Sequence, residues 1–127
     1  MSSEPEIRSY RDLKVWKDAM DLAVNSYEAT RGFPREEIFG LVSQIRRAAA
    51  SVPANVAEGY GRDNVGNYVH HLRIAQGSLK EFETHVILAG RVELLKEDVV
   101  MKLLDSADRI GRMLRGLIRS LQPGGDK

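Results

Sequence analysis

The chain of 127 residues contains no cysteine, which removes disulfide frameworks, zinc–thiolate sites and thiol nucleophiles together and suits a reducing compartment. Aromatic residues make up only 6%, too few for a platform that stacks nucleic-acid bases. Charges interrupt every apolar stretch, so no run approaches the roughly 18 residues of a membrane helix, and no signal-peptide pattern is present. A soluble cytoplasmic protein is expected. Net charge is nearly absent as well: 19 basic residues against 18 acidic leave +1, and any basic surface must come from local clustering. No segment alternates apolar and polar residues with a period of two, so a sheet is not expected. The length suits one domain around one core.

What is present is helical periodicity. Leu13, Trp16, Ala19, Met20, Ala23 and Tyr27 recur at helical spacing within a first helix over about 10–31. Ser9 and Asp12 stand in the spacing of a capping box, and Gly32 offers a left-handed stop. Pro34, Glu36 and Glu37 suit the start of a second helix, about 35–58, with Pro53 kinking it from within and Gly59 and Gly61 ending it. Asp63 or Asn64 can cap a third helix, about 65–92, whose Tyr68, Leu72, Ala75, Leu79, Phe82, Val86 and Ala89 form a bundle-core stripe. The fourth, about 97–121, repeats it with Val100, Leu103, Ala107, Ile110, Leu114, Leu117 and Leu121. Four helices with short links predict an all-α, antiparallel, up-down-up-down four-helix bundle over 10–121. Residues 1–9 and 122–127 are expected to be flexible ends.

The second helix carries a polar stripe beside its apolar one: Gln44, Arg47, Ser51, Asn55 and Glu58 fall within an arc of about 80° on a helical wheel. Asn67, His71, Ile74, Ser78, Glu81 and His85 make a comparable line on the third. In an antiparallel hairpin turning near residue 62, facing residues have numbers summing to about 124–126. Glu58 would then meet Asn67, Asn55 His71, Ser51 Ile74, Arg47 Ser78 and Gln44 Glu81, with Arg47 close enough to Glu81 for a charge-assisted pair. Such a seam fixes helix register, forms a subunit contact or lines a cleft. Small residues favour close backbone approach: Ala48 to Ser51, Ala54, Ala57 and Gly77, with Gly90, Gly111 and Gly116 inside helices where each glycine costs about 1 kcal/mol against alanine.

Glu-x-x-His pairs of the di-iron type are missing, and Glu81 with His85 does not complete a metal site. Gly59-Tyr60-Gly61 closes a helix where a phosphate loop would open one. No metal or cofactor is expected. Arg109, Arg112, Arg115 and Arg119 lie on one side of the fourth helix, roughly opposite its apolar stripe. They either complement the helix C-terminus or form a phosphate-binding rail, to which Lys14, Lys17, Arg46 and Arg62 could add.

From Asp12-Leu13-Lys14-Val15-Trp16 to about Leu121 the chain resembles the four-helix-bundle proteins encoded by intervening sequences of bacterial 23S ribosomal RNA genes. The resemblance is carried by Ser43-Gln44-Ile45-Arg46-Arg47-Ala48-Ala49, Ser51, Pro53, Asn55 and Ala57-Glu58-Gly59, supported by Ala75, Gly77-Ser78 and Glu81. It extends to the accessory variability protein of diversity-generating retroelements, implicated in binding nucleic acid and a reverse transcriptase. It implies a homopentamer without known enzymatic activity. The leading expectation is a non-enzymatic oligomer that binds RNA or DNA through Arg109, Arg112, Arg115 and Arg119. Gln44, Arg47, Ser51, Asn55, Glu58, Ser78 and Glu81 would organise the seam or the subunit contact. The alternatives are a scaffold for a protein partner and a small-molecule enzyme using His71 and Glu81.

Overall fold

The structure, a computed structural model, describes residues 6–122. Its long helices are α1 (Lys14–Thr30), α2 (Ser43–Tyr60), α3 (Val65–Arg91) and α4 (Glu97–Leu121), and the described residues contain no strand. Each helix packs on the next, and α4 returns to α1, which closes a four-helix bundle. All four feed one core: Leu22 from α1, Ile45 and Val52 from α2, Leu72, Leu79 and Phe82 from α3, Ile110 and Leu114 from α4 are fully buried. Burying such side chains supplies about 1.5–3 kcal/mol each.

α3 starts where Asn64, in extended conformation, accepts the Asn67 N–H at 2.8 Å. Its expected core stripe is buried from Leu72 to Ala89, with Tyr68 half-buried at the end of the line. The helix closes with the Leu94 N–H donating to the Ala89 carbonyl and the Glu93 N–H to Gly90, the paired bonds of a Schellman motif. The residue in the left-handed position is Glu93, at φ 64°. α4 follows at once, with Glu97 and Asp98 in its first turn.

Elsewhere the elements differ from expectation. The helix expected over 10–31 is broken at Leu13, whose ψ of 127° separates a 3-10 turn (Tyr10–Asp12) from α1. The Ser9–Asp12 capping box forms, but on that turn: Ser9 Oγ accepts from the Arg11 N–H at 3.1 Å, and the Asp12 carboxylate accepts from the Arg8 and Ser9 N–H groups at 2.9 and 3.2 Å. Those two donors hold the Asp12 carboxyl below its usual value. Ser9 therefore belongs to the fold, while most of the ends expected to be flexible lies outside the described residues.

The helix expected over 35–58 is also divided. A 3-10 turn (Arg35–Glu37) and one π-helical turn (Ile38–Val42) precede α2, and Gly40 departs from helical geometry at φ −103°, ψ −115°. Glu37 caps the restart by accepting the Leu41 N–H at 3.2 Å, and a Cβ on Gly40 would stand 2.9 Å from that carboxylate oxygen. Past Pro53 the helix runs on to Tyr60, so Gly59 does not end it. None of the described glycines occupies the left-handed region, Gly32 included.

α1 departs furthest. Its buried face is Val15, Ala19, Leu22, Ala23, Ser26 and Thr30. Of the expected stripe, Met20 and Tyr27 are exposed and Trp16 only half-buried. The buried hydroxyls are satisfied locally, Ser26 Oγ donating to the Leu22 carbonyl at 2.7 Å and Thr30 Oγ1 to Ser26 at 2.8 Å.

Candidate nucleic-acid interface

α4 puts Arg109, Arg112, Arg115 and Arg119 on its solvent side, because Leu103, Ala107, Ile110, Leu114 and Ile118 take the core side. The two flanks of this ridge differ. Toward α1, Arg109 and Arg112 border a shallow depression with Lys14, Asp18 and Met113. Here the cations are answered. Arg112 meets Asp108 at 2.6 Å, Lys14 meets Asp18 at 3.1 Å, and Asp18 and Asp21 line the adjoining hollow beside Arg109.

Toward α3, Arg115 joins Arg73 and Lys80 around a depression of about 400 Å³ lined also by Gln76, Gly77, Leu79 and Gly111. No carboxylate is among the lining residues. Lys80 reaches Glu83 at 3.3 Å beyond the rim, and Arg73 reaches the Gln122 amide oxygen at 3.5 Å. Gly77 has nothing within 4 Å of where a Cβ would stand, so the floor is open. Three cations over an apolar, glycine-lined floor make a surface of positive potential suited to an anionic chain. Arg73 and Lys80 escaped the sequence reading because they lie on α3 and meet Arg115 only through α3–α4 packing. Arg46, expected as a further member of the rail, is used internally: its Nε donates to Thr30 Oγ1 at 2.9 Å, an Nη donates to the Tyr27 carbonyl at 3.2 Å, and the guanidinium covers the Tyr27 ring at 4.4 Å. Arg62 is paired with Glu58 at 2.7 Å.

Between α2 and α3 a shorter polar seam exists than expected. Asn55 donates through Nδ2 to the Ser51 carbonyl at 2.9 Å and to Ser51 Oγ at 3.0 Å, which turns its Oδ1 toward His71 Nδ1 at 3.1 Å. His71 is thereby the Nδ1–H donor. Ser51 and Ser78 meet at 2.8 Å. Asn55 finds the predicted partner, whereas Ser51 meets Ser78 in place of Ile74, because short hydroxyls meet only where backbones are close. Gln44, Arg47, Glu58 and Glu81 are exposed. Among the described residues neither Arg47 nor Glu81 enters an ion pair. The expected Arg47–Glu81 pair is therefore not formed; both charges keep their water, as suits exposed groups whose mutual attraction is worth at most about 1 kcal/mol. At the turn end, a Cβ on Gly59 would stand 2.8 Å from His71 Cβ and 3.0 Å from Tyr68 Cδ1. Burial, then the neighbouring Tyr60, push the Tyr68 hydroxyl above its usual pKa. His85 Nδ1 is buried without a hydrogen-bond partner. Among the described residues no three His, Asp or Glu side chains gather as metal ligands do, and no helix is long and apolar enough to cross a membrane.

The family model of the 23S rRNA-intervening sequence protein matches residues 11–116, nearly all of the bundle. The chain belongs to that family. Its bundle is also similar to a crystal structure from Bacteroides thetaiotaomicron VPI-5482, described as a protein of unknown function from the S23 ribosomal protein family. The TM-score is 0.75 at 21% identity, over 83% of this chain and 98% of that one. At that identity the likeness concerns the fold. No curated protein matches. For this 23S rRNA-intervening sequence family member, the family match spans α1, α2 and α3 and all of the α4 surface up to Gly116, so Arg73, Lys80, Arg109, Arg112 and Arg115 lie inside it and Arg119 beyond it.

Proposed function

We propose that this chain is a cytoplasmic, non-enzymatic, homo-oligomeric bundle, a pentamer by family resemblance, that binds RNA or DNA through the basic α3–α4 surface. The observation that carries the reading is the carboxylate-free depression of Arg73, Lys80 and Arg115 on a chain whose net charge is only +1. Local clustering replaces overall basicity, and a symmetric assembly would multiply it. Arg119 continues the ridge, while Arg109 and Arg112, expected in the same rail, are met by acidic neighbours and contribute less.

The test is binding of a short single-stranded RNA and a DNA duplex at several salt concentrations, with the mass of the protein followed by light scattering. Phosphate binding is expected to weaken steeply with salt, log K falling with a slope of about −0.7 to −0.9 per neutralised phosphate. Replacing Arg73 and Arg115 together by alanine should flatten that slope by about two phosphates for each protomer in contact, with Lys80, already paired with Glu83, adding less. Salt-insensitive or absent binding would overturn the reading. A protein-interaction scaffold would then be favoured, for which the apolar groove on the opposite side of the bundle speaks.

A further inference from the structure

α1 is apolar on a second face that the core does not use. Trp16, Met20, Val24 and Tyr27 line a groove of about 560 Å³ whose other wall is the small-residue face of α2, Ala50 and Ala54 included. Val24 is 53% exposed and Tyr27 44%. An exposed apolar concavity of this size marks a contact site. The same chain carries the matching convex feature. Phe39 is 93% exposed and Ile38 47%, both held out from the bundle on the π-helical turn that Gly40 interrupts.

We infer that Phe39 of one copy inserts, with Ile38 beside it, into the α1–α2 groove of a second copy of this chain. An apolar cavity of about 150 Å³ already takes a benzene ring, so the groove has room for both side chains. Charge agrees as well. Glu28 and Arg31 stand at the Tyr27 end of the groove, Arg35 and Glu36 precede the protruding pair, and none of the four enters an ion pair among the described residues. Glu28 with Arg35 and Arg31 with Glu36 would close the rim of the contact. Phe39 follows the end of α1 by nine residues, so knob and groove mouth lie at the same end of the bundle. A rotation axis along the bundle needs that common level. A knob in one place and its hole in another make a head-to-tail contact, which closes into a ring when the rotation permits.

The inference rests on the homo-oligomer reading above and is tested apart from it. Phe39→Ser keeps the groove and loses the knob; Val24→Arg keeps the knob and blocks the groove. Both positions are exposed, and circular dichroism checks that both variants fold. Light scattering should give a wild-type oligomer, two monomeric variants, and a one-to-one heterodimer when the variants are mixed at the highest soluble concentration. A wild-type monomer would sink the homo-oligomer reading and this contact with it. A wild-type oligomer that survives Phe39→Ser, or variants that do not associate when mixed, would overturn the knob-and-groove contact and leave the oligomer standing.

Discussion

Gly59 and Gly77 both lie inside helices, under opposite constraints. At Gly59 a methyl group would press on His71 Cβ and Tyr68 Cδ1 at 2.8 and 3.0 Å, so the close crossing of α2 and α3 depends on its absence. Gly59→Ala should cost about 1–3 kcal/mol, the range of overpacked sites, seen as a lower denaturation midpoint at an unchanged slope. Gly77→Ala meets nothing within 4 Å and should stabilise α3 by up to about 1 kcal/mol. If both changes destabilise equally, the crossing distances are wrong. Arg47 is a similar case of a residue whose type misleads. Its charge at a seam position suggested a partner, yet it is exposed, and Arg47→Leu should shift stability by no more than about 0.5 kcal/mol. Asn55→Ala, which strips His71 and Ser51 of their shared partner, should cost about 1–2 kcal/mol in the same measurement. Sequence position told which residues form the seam's line; which of them lose their water depends on how near the backbones come.

At the scale of elements, α3 and α4 were legible because both of their stripes are purely apolar, and Asn64 marks the start of α3, although no side chain caps α4 at Lys96. α1 was not, and Ser26 and Thr30 are the reason. Their hydroxyls return to carbonyls four residues back, which lets them sit in the core. The apolar Met20 and Tyr27 meanwhile face out. A reading that equates apolar with buried finds Ala19 and Ala23 but draws the face of such a helix too far toward Met20 and Tyr27. The α3–α4 turn hides a comparable exchange, with a glutamate in the left-handed site that glycine usually fills. The left-handed conformation costs a residue with a Cβ about 1–2 kcal/mol, and part of that returns as glycine's greater loss of freedom on folding. Glu93→Gly should therefore raise stability by about 0.5–1 kcal/mol, Glu93→Asn by less, and Glu93→Val should lower it. Thermal midpoints in the order Gly, Asn, Glu, Val would confirm that the Schellman turn governs this hairpin. A midpoint blind to the side chain would mean that the turn is open in solution.

For the whole molecule the question is whether a polyanion would respond to the sum of charges or to their placement. Arg112 and Arg115 are three residues apart on α4 and each contributes one positive charge, so net charge treats them alike. Their surroundings do not. Arg112 borders the α1 flank and is held by Asp108 at 2.6 Å, whereas Arg115 stands with Arg73 and Lys80 over a floor without carboxylates. The candidate depression was illegible in the sequence for the same reason, since its three cations come together only across two helices. Arg115→Gln should thus reduce the salt slope of RNA binding by about 0.7–0.9 for each protomer engaged, while Arg112→Gln should leave it almost unchanged. Asp108→Asn carries the argument one step further: releasing Arg112 from its partner should strengthen binding and steepen the slope. Equal losses from the two arginine changes would show a polyanion held by bulk charge alone. An unchanged slope in the Arg115 variant, with Arg112→Gln flattening it, would move the contact to the α1 side of the ridge.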